Sequence, residues 1–353
     1  MTDVARQISH LSSRQSTLKD VARLAGVSHT TVWRVFNDHR GVGAETRERV
    51  HRAMRLLSYR LNPAARTLVT RRSNLLGVIT TDRASFGTTS ILCGFERAAR
   101  SAGYYVTITS VETPTRGALR RAVSRLSDQA VEGALTLVPP DPTAAATPVP
   151  FPMVAIGPRR HLAAGIVGVD TAAGAAMATD HLLGLGHATV HHVSGPMNCP
   201  EARLRRTAWQ RTLRAAGAWQ PPCLAGDWSA RSGYEIGLRL ASDPDVTAVF
   251  CANDNMAIGV LRAMFEMGRQ VPDEVSVVGF DDIPAAEYTT PPLTTVRQDF
   301  AALGARCMAI LDDLVADPER SVSSSADPGA ELAIRGSSAG SPRSRTRPIS
   351  APA

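Results

Sequence analysis

The feature that most constrains this chain is an alternation of strand and helix patterns that runs from Leu75 for about 260 residues. Short apolar runs predict strands at 75–80, 105–110, 133–138, 154–156, 190–193, 246–251 and 275–279, with a last one at 331–335. Stretches with helical spacing lie between them at 91–102, 118–127, 174–185, 201–216, 232–241 and 256–267. This order is typical of parallel βαβ units. A run of this length predicts two doubly wound lobes, which bind ligands at the carboxyl ends of their strands.

Before this body, residues 17–61 predict three short helices. Thr17 and Asp20 form a capping box for the first helix, and Gly26 ends it. Ser28 is a favourable N-cap for a second helix that stops near residues 37–41, and a third fits 45–58. A helix, a turn with glycine and a second helix are typical of a helix-turn-helix, whose second helix enters the DNA major groove. Periodicity alone fits a generic helical hairpin equally well.

Charge separates the head from the body. Residues 1–72 contain fourteen Lys and Arg and five Asp and Glu, whereas the whole chain has a net charge of only +7. Clustered cations release counterions when they meet phosphates, so the head is expected to bind a polyanion. The alternative is a solvated basic tail. Residues 1–16 are polar without an apolar period and are predicted to be a disordered leader.

The second helix of the head has an exposed face suited to DNA. His29 and Thr30 lie near its start and Arg34 one turn later, where side chains reach base edges. The remaining candidates for DNA contacts on this helix, the first two of them placed for phosphates, are Ser28, Thr31 and Asn37. Beyond it, Asn62 and Pro63 begin a segment with helix-start signals that is too short to be stable alone. Residues 62–73 are therefore predicted to be a helix that forms when docked, followed by a linker.

Several classes of protein and site are disfavoured. An apolar signal segment and a run of eighteen apolar residues are both lacking, so we expect a cytoplasmic protein. The five cysteines are widely spaced and are expected to be core or near-core thiols, and the histidines of 181–192 lack partners at metal-ligand spacing. Neither a cofactor nor a metal is predicted. Asp281 and Asp282 are adjacent and should point apart, unlike a facing catalytic pair, so an enzyme is not expected.

The head resembles a known family. The segments TLKDVARLAGVSHTTVWRVFN, ETRERV, LSYRLNPAARTL and SNLLGVI of residues 17–79 resemble the amino-terminal region of the lactose/galactose repressor (LacI/GalR) family. The resemblance implies that 62–68 is a hinge helix in the minor groove, with Leu68 as a wedge between base steps and Ala65 beside it. Trp33 and Leu61 depart from the family pattern, which has a small residue and a proline there.

The body carries the same resemblance. It is densest in VDTAAGAAMATDHLLGLGH, EARLRRTAWQRTL, GDWSARSGY, FCANDNMAIGVLRAM and the segment 271–304, and GDWSA and QDF resemble lactose-type repressors. The implied fold is a small all-α helix-turn-helix head on an α/β, periplasmic-binding-protein-like body of two parallel-sheet lobes. Domains are expected at 17–61, 62–73 and 74–336, with a disordered tail over 337–353.

The resemblance also implies a ligand site. Arg205, Asn253 and Asp281 fall at positions that hold ligand hydroxyls, and Trp228 and Phe300 at positions that pack on a sugar ring. Asp170 and Gln298 are weaker candidates. Structural alternatives remain open: Arg205 only pairs with an acid, Trp228 belongs to a core, and Asp281 caps the following segment. Ala208 stands where the family commonly has glycine, which would narrow the ligand range.

These implications predict a transcriptional repressor. It is expected to bind a near-palindromic DNA operator as a homodimer, since one recognition helix reads too few base pairs. A small sugar, such as a galactoside, would release it. Two alternatives stay open: a two-lobed solute-binding receptor, and a co-repressor-dependent regulator that responds to a purine or phosphosugar.

Overall fold

The structure, a computed structural model, describes residues 16–36, 41–59, 72–81, 85–113, 115–138, 149–158, 166–320 and 329–342. The chain divides into two compact units, Met1–Ser73 and Asn74–Ala353. Both units have the predicted fold class: the described residues of the first unit form helices, and the second unit contains two mainly parallel sheets with helices.

The described part of the first unit contains three helices: α1 (Leu18–Ala25), α2 (His29–Phe36) and α3 (Ala44–Leu56). The Asp20 carboxylate accepts hydrogen bonds from the backbone N–H and the hydroxyl of Thr17, at 2.9 and 2.6 Å. Gly26 ends α1 with a φ of 65°, which glycine adopts without steric cost. The capping box and the helix stop are therefore confirmed. The small core of this unit is built on Val21, Val32, Val35, Val50 and Ala53.

The first lobe of the second unit is a five-stranded parallel sheet. Its strands are β1 (Leu75–Thr81), β2 (Tyr105–Val111), β3 (Gly133–Thr136), β4 (Met153–Pro158) and β5 (Ile166–Val169), in the order β2-β1-β3-β4-β5. Helices α4 (Phe86–Ser101) and α5 (Arg116–Asp128) connect the first three strands. The prediction omitted β5, a short run of four residues.

The second lobe is a six-stranded sheet in the order β11-β10-β9-β8-β6-β7. The strands are β6 (His191–Ser194), β7 (Leu224–Ala225), β8 (Ala248–Cys251), β9 (Ser276–Asp281), β10 (Thr294–Gln298) and β11 (Ala330–Ala333), of which β11 alone pairs antiparallel. The helices are α6 (Thr171–Gly184), α7 (Pro200–Ala215), α8 (Ala230–Ala241) and α9 (Asp254–Glu266), with a 3-10 turn at Pro284–Tyr288. The prediction missed β7, β10 and the 3-10 turn.

The lobes exchange elements. Helix α10 (Phe300–Ala316) follows β10 directly, yet it packs on α4, β3 and β4 of the first lobe. The prediction also omitted this helix, although its buried residues recur at helical spacing through Leu303, Cys307, Leu311 and Leu314. The chain then returns to the second sheet as β11. Residues next to these crossings, such as Asp170, Gln298 and Phe300, therefore lie between elements of different lobes.

Each lobe contains a helix pair in close contact through glycine. A Cβ on Gly94 of α4 would lie 2.1 Å from the Ala301 carbonyl oxygen, and one on Gly304 of α10 would lie 2.1 Å from that of Ile91. In the second lobe, a Cβ on Gly233 of α8 would lie 2.2 Å from the Met256 carbonyl oxygen. A Cβ cannot lie this close to a carbonyl oxygen, so both helix pairs require glycine at these positions to keep their separation.

The predicted disordered tail is wrong for its first residues. Ser337 is fully buried, donates its hydroxyl to the Val277 carbonyl and accepts the N–H of Thr294 at 2.8 Å. The backbone N–H of Ser341 donates to the Leu185 carbonyl at 2.9 Å. The segment 337–342 therefore packs on the second lobe. Its polar composition predicted contacts with water, but its serines instead form hydrogen bonds with the protein.

Candidate functional site

Several of the predicted ligand residues lie at the carboxyl edge of the second sheet. Strand β8 ends two residues before Asn253, β9 ends at Asp281 and β10 ends at Gln298. Parallel strands bring these ends together, because every strand points the same way and the next helix begins on that side. In the part of the chain that the structure describes, every helix is too short or too polar to cross a membrane.

Arg205 is the centre of the site. It projects from α7, is only 6% exposed, and donates from Nε to the Thr171 hydroxyl at 3.0 Å and from Nη1 to the Ala252 carbonyl. Its Nη2 lies 3.5 Å from Oδ1 of Asp281, and its Cζ lies 3.7 Å from the centroid of the Phe280 ring. Burial lowers the pKa of the guanidinium, and the charge of Asp281 opposes this. Arg205 thus pairs with an acid, as the structural alternative for this residue expected.

Asp281 and Asp282 point apart, as predicted. Burial raises the pKa of Asp281 to about 6, and Arg205 counteracts that rise. Asp282 instead contacts Arg297 at 2.6 Å and Arg335 at 2.8 Å. Both aspartates have a positive φ, 105° for Asp281 and 52° for Asp282. Such backbone costs free energy in a residue with a Cβ and is typically retained where function requires it.

Asn253 and Trp228 are joined to each other. Asn253 is the N-cap of α9: its Oδ1 accepts the N–H of Met256 at 3.0 Å, and its Nδ2 donates to the Trp228 carbonyl at 3.0 Å. The centroid of the Trp228 ring lies 5.6 Å from Cζ of Arg205. A Cβ on Gly195 would lie 2.2 Å from this ring, so glycine after β6 leaves the space that the indole occupies. Trp228 also has a positive φ, of 74°.

The other three candidates are placed less directly. Asp170 caps α6 by accepting the N–H of Ala173 at 3.0 Å, and the next residue, Thr171, holds Arg205. Gln298 is half-buried at the end of β10. It follows Arg297, the residue of β10 that lies beside Asp281 of β9 in the sheet register. Phe300 is 8% exposed in the first lobe, with its ring 6.2 Å from that of Phe86. Its contacts in the structure are those of a core residue at the edge of that lobe.

Sequence reasoning missed three neighbours of Arg205: Thr171, Phe280 and Asp254. The Asp254 side chain is fully buried, accepts the Thr295 hydroxyl at 2.5 Å and accepts the Ile283 N–H at 2.8 Å. Burial raises its pKa to about 8 even though these two bonds favour the charged form. Its position directly after an N-cap asparagine resembles an ordinary acidic first turn, so the sequence contained no sign of its burial.

The buried histidines and cysteines of the second unit pack in its interior. His187 is buried and hydrogen-bonds Thr247, Ser276 and the Ala339 carbonyl. His192 stacks on Phe250 with ring centroids 4.7 Å apart, and burial lowers its pKa to about 4. Cys251 and Cys307 are buried and Cys199 and Cys223 partly so. The exposed Cys93 corrects the prediction of a core or near-core thiol, because it lies on the solvent side of α4.

In the first unit, α2 presents the predicted face. Val32 and Val35 are buried, whereas His29, Thr30 and Arg34 are exposed. Ser28 accepts the Thr31 N–H at 3.1 Å, and the two hydroxyls lie 2.9 Å apart. This cap fixes the start of the helix while leaving its outer face open. Three predicted DNA contacts, Asn37, Ala65 and Leu68, lie outside the described residues.

Comparison with known proteins agrees with this arrangement. Residues 17–62 match the model of bacterial regulatory proteins of the lacI family, and residues 179–338 match that of a periplasmic binding protein-like domain. The first covers the helical head, and the second covers most of the sheet that carries the site. The head with its helix-turn-helix is therefore a DNA-binding domain of that family.

The relatives extend the match over both units. The chain is 36% identical over 295 residues to the lactose operon repressor of Escherichia coli (strain K12), covering 82% of this chain and 81% of the relative. It is 30% identical over 331 residues to the transcriptional repressor PurR of Haemophilus influenzae (strain PittEE), covering 91% and 98%. These relatives are repressors, which agrees with the prediction of a regulator and not an enzyme.

A solved structure shows the same fold. The lac repressor dimer bound to operator and the anti-inducer ONPF aligns with a TM-score of 0.84 at 32% identity, over 92% of this chain and 100% of that one. Family models, relatives and fold thus agree over the head and the body alike, and this chain belongs to the LacI family of bacterial regulatory proteins.

Proposed function

We propose that this protein is a cytoplasmic transcriptional repressor that binds a near-palindromic operator and is released from it by a small sugar. The observation that carries the proposal is the joining, in one chain, of a lacI-type head with a periplasmic binding protein-like body. The name of the lactose operon repressor and the operator-bound lac repressor dimer support it. His29, Thr30 and Arg34 would read bases. Ser28 and Thr31 would contact phosphates, and Asn37 is a further candidate for a DNA contact.

The ligand would bind over Arg205, Asn253 and Asp281. A sugar offers hydroxyls that donate to a carboxylate, and an apolar face that packs on an aromatic ring. Asp281 supplies the carboxylate, and the Trp228 ring lies beside the same guanidinium. Phe300 would contribute a second apolar surface, with Asp170 and Gln298 at the margin.

The repressor would act as a homodimer. Phe265 and Tyr288 of the second lobe are 76% and 82% exposed, so both side chains are accessible to a second copy of this chain. The related lac repressor structure is a dimer, which supports such an assembly. Dimerisation would also place two recognition helices on one operator.

Ligand binding would weaken operator binding through a two-state equilibrium. The chain passes from β10 to α10 at Gln298 and Phe300, so a ligand that contacts both lobes there would favour one arrangement of the lobes over another. Such a shift requires different ligand affinity in the two states. The relatives named PurR support a second candidate, a regulator that a purine recruits to DNA.

The test is a fluorescence-anisotropy titration of the full chain on DNA from upstream of its own gene, at fixed salt, against a scrambled duplex of equal length. Galactosides, other sugars and purines are added in turn. Tight binding that one sugar abolishes is the expected result. Binding that appears only with a purine would favour the second candidate. Equal affinity for both duplexes would contradict sequence-specific repression.

A further inference from the structure

A cavity of about 370 Å³ lies in the first lobe, where strand β2 ends and helix α5 begins. The described residues that line it come from β2, from α5 and from the link between them, so none belongs to the candidate ligand site of the second lobe. Val111 and Ala122 line it and are part of a buried apolar cluster of the first lobe. The other lining side chains are mostly hydroxyls and arginines, which are the groups that bind oxyanions.

Thr109 is a buried polar residue of this cavity. It is only 9% exposed, and its hydroxyl has no hydrogen-bond partner among the described residues. Val111, two residues further along β2, packs with Ala122 of α5. Alternate residues of a strand share one face, so Thr109 also faces α5. A buried hydroxyl without a partner costs free energy, which a ligand oxygen in the cavity would offset.

Arg121 and Arg125 line the cavity from α5. They are four residues apart and therefore project from one face of the helix. Arg100 of α4 pairs with Glu96 at 3.2 Å, whereas neither cavity arginine contacts a carboxylate within the described ranges. The Arg121 Nη1 would lie 3.5 Å from a Cβ on Gly117, so this guanidinium lies over the first turn of α5. Two cations thus reach the cavity without protein acceptors.

The start of α5 places backbone donors near the same arginines. Thr115 caps the helix by accepting the Ala118 N–H at 3.2 Å, and both residues line the cavity. The N–H groups of Arg116 and Gly117 precede that bond and have no acceptor within the helix, as in the first turn of any α-helix. Such donors, together with the helix dipole, favour an anion.

Glu112 is a carboxylate at the edge of the cavity. It is exposed, and it pairs with neither Arg121 nor Arg125 in the described part of the chain. The described lining residues therefore carry two positive charges and one negative charge. A neutral ligand would leave both guanidinium groups with water as their acceptor, whereas the oxygens of a phosphate can accept hydrogen bonds from both.

We propose that this cavity is a second small-molecule site, which binds the phosphate group of a phosphorylated ligand. Arg121 and Arg125 donate charge-assisted hydrogen bonds to the phosphate oxygens, and Thr109 donates its hydroxyl. The volume is that of a small-molecule pocket and exceeds what a phosphate ion needs, so the ligand is a phosphate monoester of a small molecule. The burial of Thr109 favours such a ligand over the phosphates of a DNA duplex, which lie on a convex surface.

The experiment is isothermal titration calorimetry on the full chain with inorganic phosphate and glycerol 3-phosphate, at constant ionic strength. Glycerol is the uncharged comparison. The wild type should bind both anions and not glycerol. Arg121→Gln and Arg125→Gln should each weaken the binding by about tenfold or more, because each removes charge-assisted hydrogen bonds.

Two further variants separate this site from a general effect of charge or folding. Arg120→Gln removes an exposed arginine of α5 that does not line the cavity and should leave the affinity unchanged. Thr109→Val should weaken phosphate binding by about fivefold, the loss expected for one hydrogen bond. It should leave Tm equal or higher, since this hydroxyl has no protein partner to lose. A purely structural role of Thr109 would instead lower Tm and leave phosphate binding unchanged.

The variants give distinct outcomes. Weaker binding in Arg121→Gln and Arg125→Gln, with Arg120→Gln unaffected, supports the proposal. Equal losses in all three would show general attraction to a basic helix and overturn the site. Failure of both anions to bind the wild type would also overturn it. If the three variants weaken binding to the operator alike and phosphate does not bind, α5 contacts the DNA backbone and the proposal is wrong.

Discussion

At the scale of single residues, the buried charges around Arg205 determine what the site can tolerate. The guanidinium and the Asp281 carboxylate lie 3.5 Å apart, with side chains 8% and 14% exposed. A buried pair of this kind contributes little net stability as a pair, but removing one partner leaves a desolvated charge. The two residues should therefore behave as one unit in mutagenesis.

We expect Arg205→Met to lower the free energy of unfolding by about 3 to 5 kcal/mol, because it strands Asp281 in a buried site. The double variant Arg205→Met/Asp281→Asn should recover a large part of that loss. Urea unfolding of the wild type, both single variants and the double variant measures the coupling. Additive losses would contradict a coupled pair.

Asp254 makes stability depend on pH. Its folded pKa of about 8 exceeds its ordinary value of 3.8, so the folded state holds a proton that the unfolded state has released. This contribution to stability is complete below pH 3.8 and is lost as pH rises through 8. Relative to Asp254→Asn, the wild type should lose up to about 1.4 kcal/mol per pH unit across that interval.

Urea unfolding of wild type and Asp254→Asn at several pH values tests this. The asparagine loses one of the two accepted hydrogen bonds, which adds a constant offset and leaves the slope informative. Asp128→Asn, at an exposed position on α5, serves as the control. Parallel curves for wild type and Asp254→Asn would show that Asp254 is ionised in the folded protein.

At the scale of elements, glycine fixes the distance between paired helices. The pairs α4 with α10 and α8 with α9 each approach until backbone meets backbone, and a Cβ at the contact would lie about 2 Å from a carbonyl oxygen. Helix α10 follows a strand of the second lobe in the chain but packs on the first lobe. The contact between α4 and α10 therefore holds the crossing segment after Gln298 in place.

Gly233→Ala should destabilise the second lobe by more than about 2 kcal/mol, since overpacking forces the helices apart. Gly184→Ala is the matched control, because nothing lies within 4 Å of a Cβ at that helix end. There alanine should be neutral or stabilising by up to about 1 kcal/mol. Thermal unfolding of both variants compares them, and equal Tm values would refute the close-packing argument.

At the scale of the whole molecule, the head and body must act on one equilibrium for a ligand to control DNA binding. Their connection runs through residues 62–73, most of which lie outside the described residues. The family resemblance assigns Leu68 the role of a wedge between base steps. Kinking the duplex in this way affects a specific complex much more than a loose electrostatic one.

Leu68→Ala should therefore weaken binding to the operator by tenfold or more, on the order of the 1–3 kcal/mol typical of one lost specific contact, and leave the scrambled duplex almost unaffected. Anisotropy titrations at one salt concentration measure both affinities. Arg71→Ala is a useful comparison, because the loss of a charge should weaken both complexes alike. Equal losses for both duplexes in Leu68→Ala would rule out the wedge.

The sequence by itself determined the fold class and the helix-turn-helix, and it indicated candidate residues for the site. Period-two and period-3.6 patterns record burial directly, and caps such as Thr17 and Ser28 act within a few residues, so local sequence suffices for them. The family motifs added Arg205, Asn253 and Asp281. What they could not supply is the partner of each charge, since Thr171, Ala252 and Asp281 reach Arg205 from three separate elements.

Tertiary structure alone decided the burial of Asp254, the packing of α10 on the opposite lobe and the order of residues 337–342. Each depends on contacts between residues far apart in the chain. Asp254 is buried because Thr295 and Ile283 enclose it, and Ser337 is ordered because β9 and β10 offer it hydrogen bonds. The identity of a residue determines which hydrogen bonds its polar groups can form. Only the fold determines whether water or the protein provides the partners.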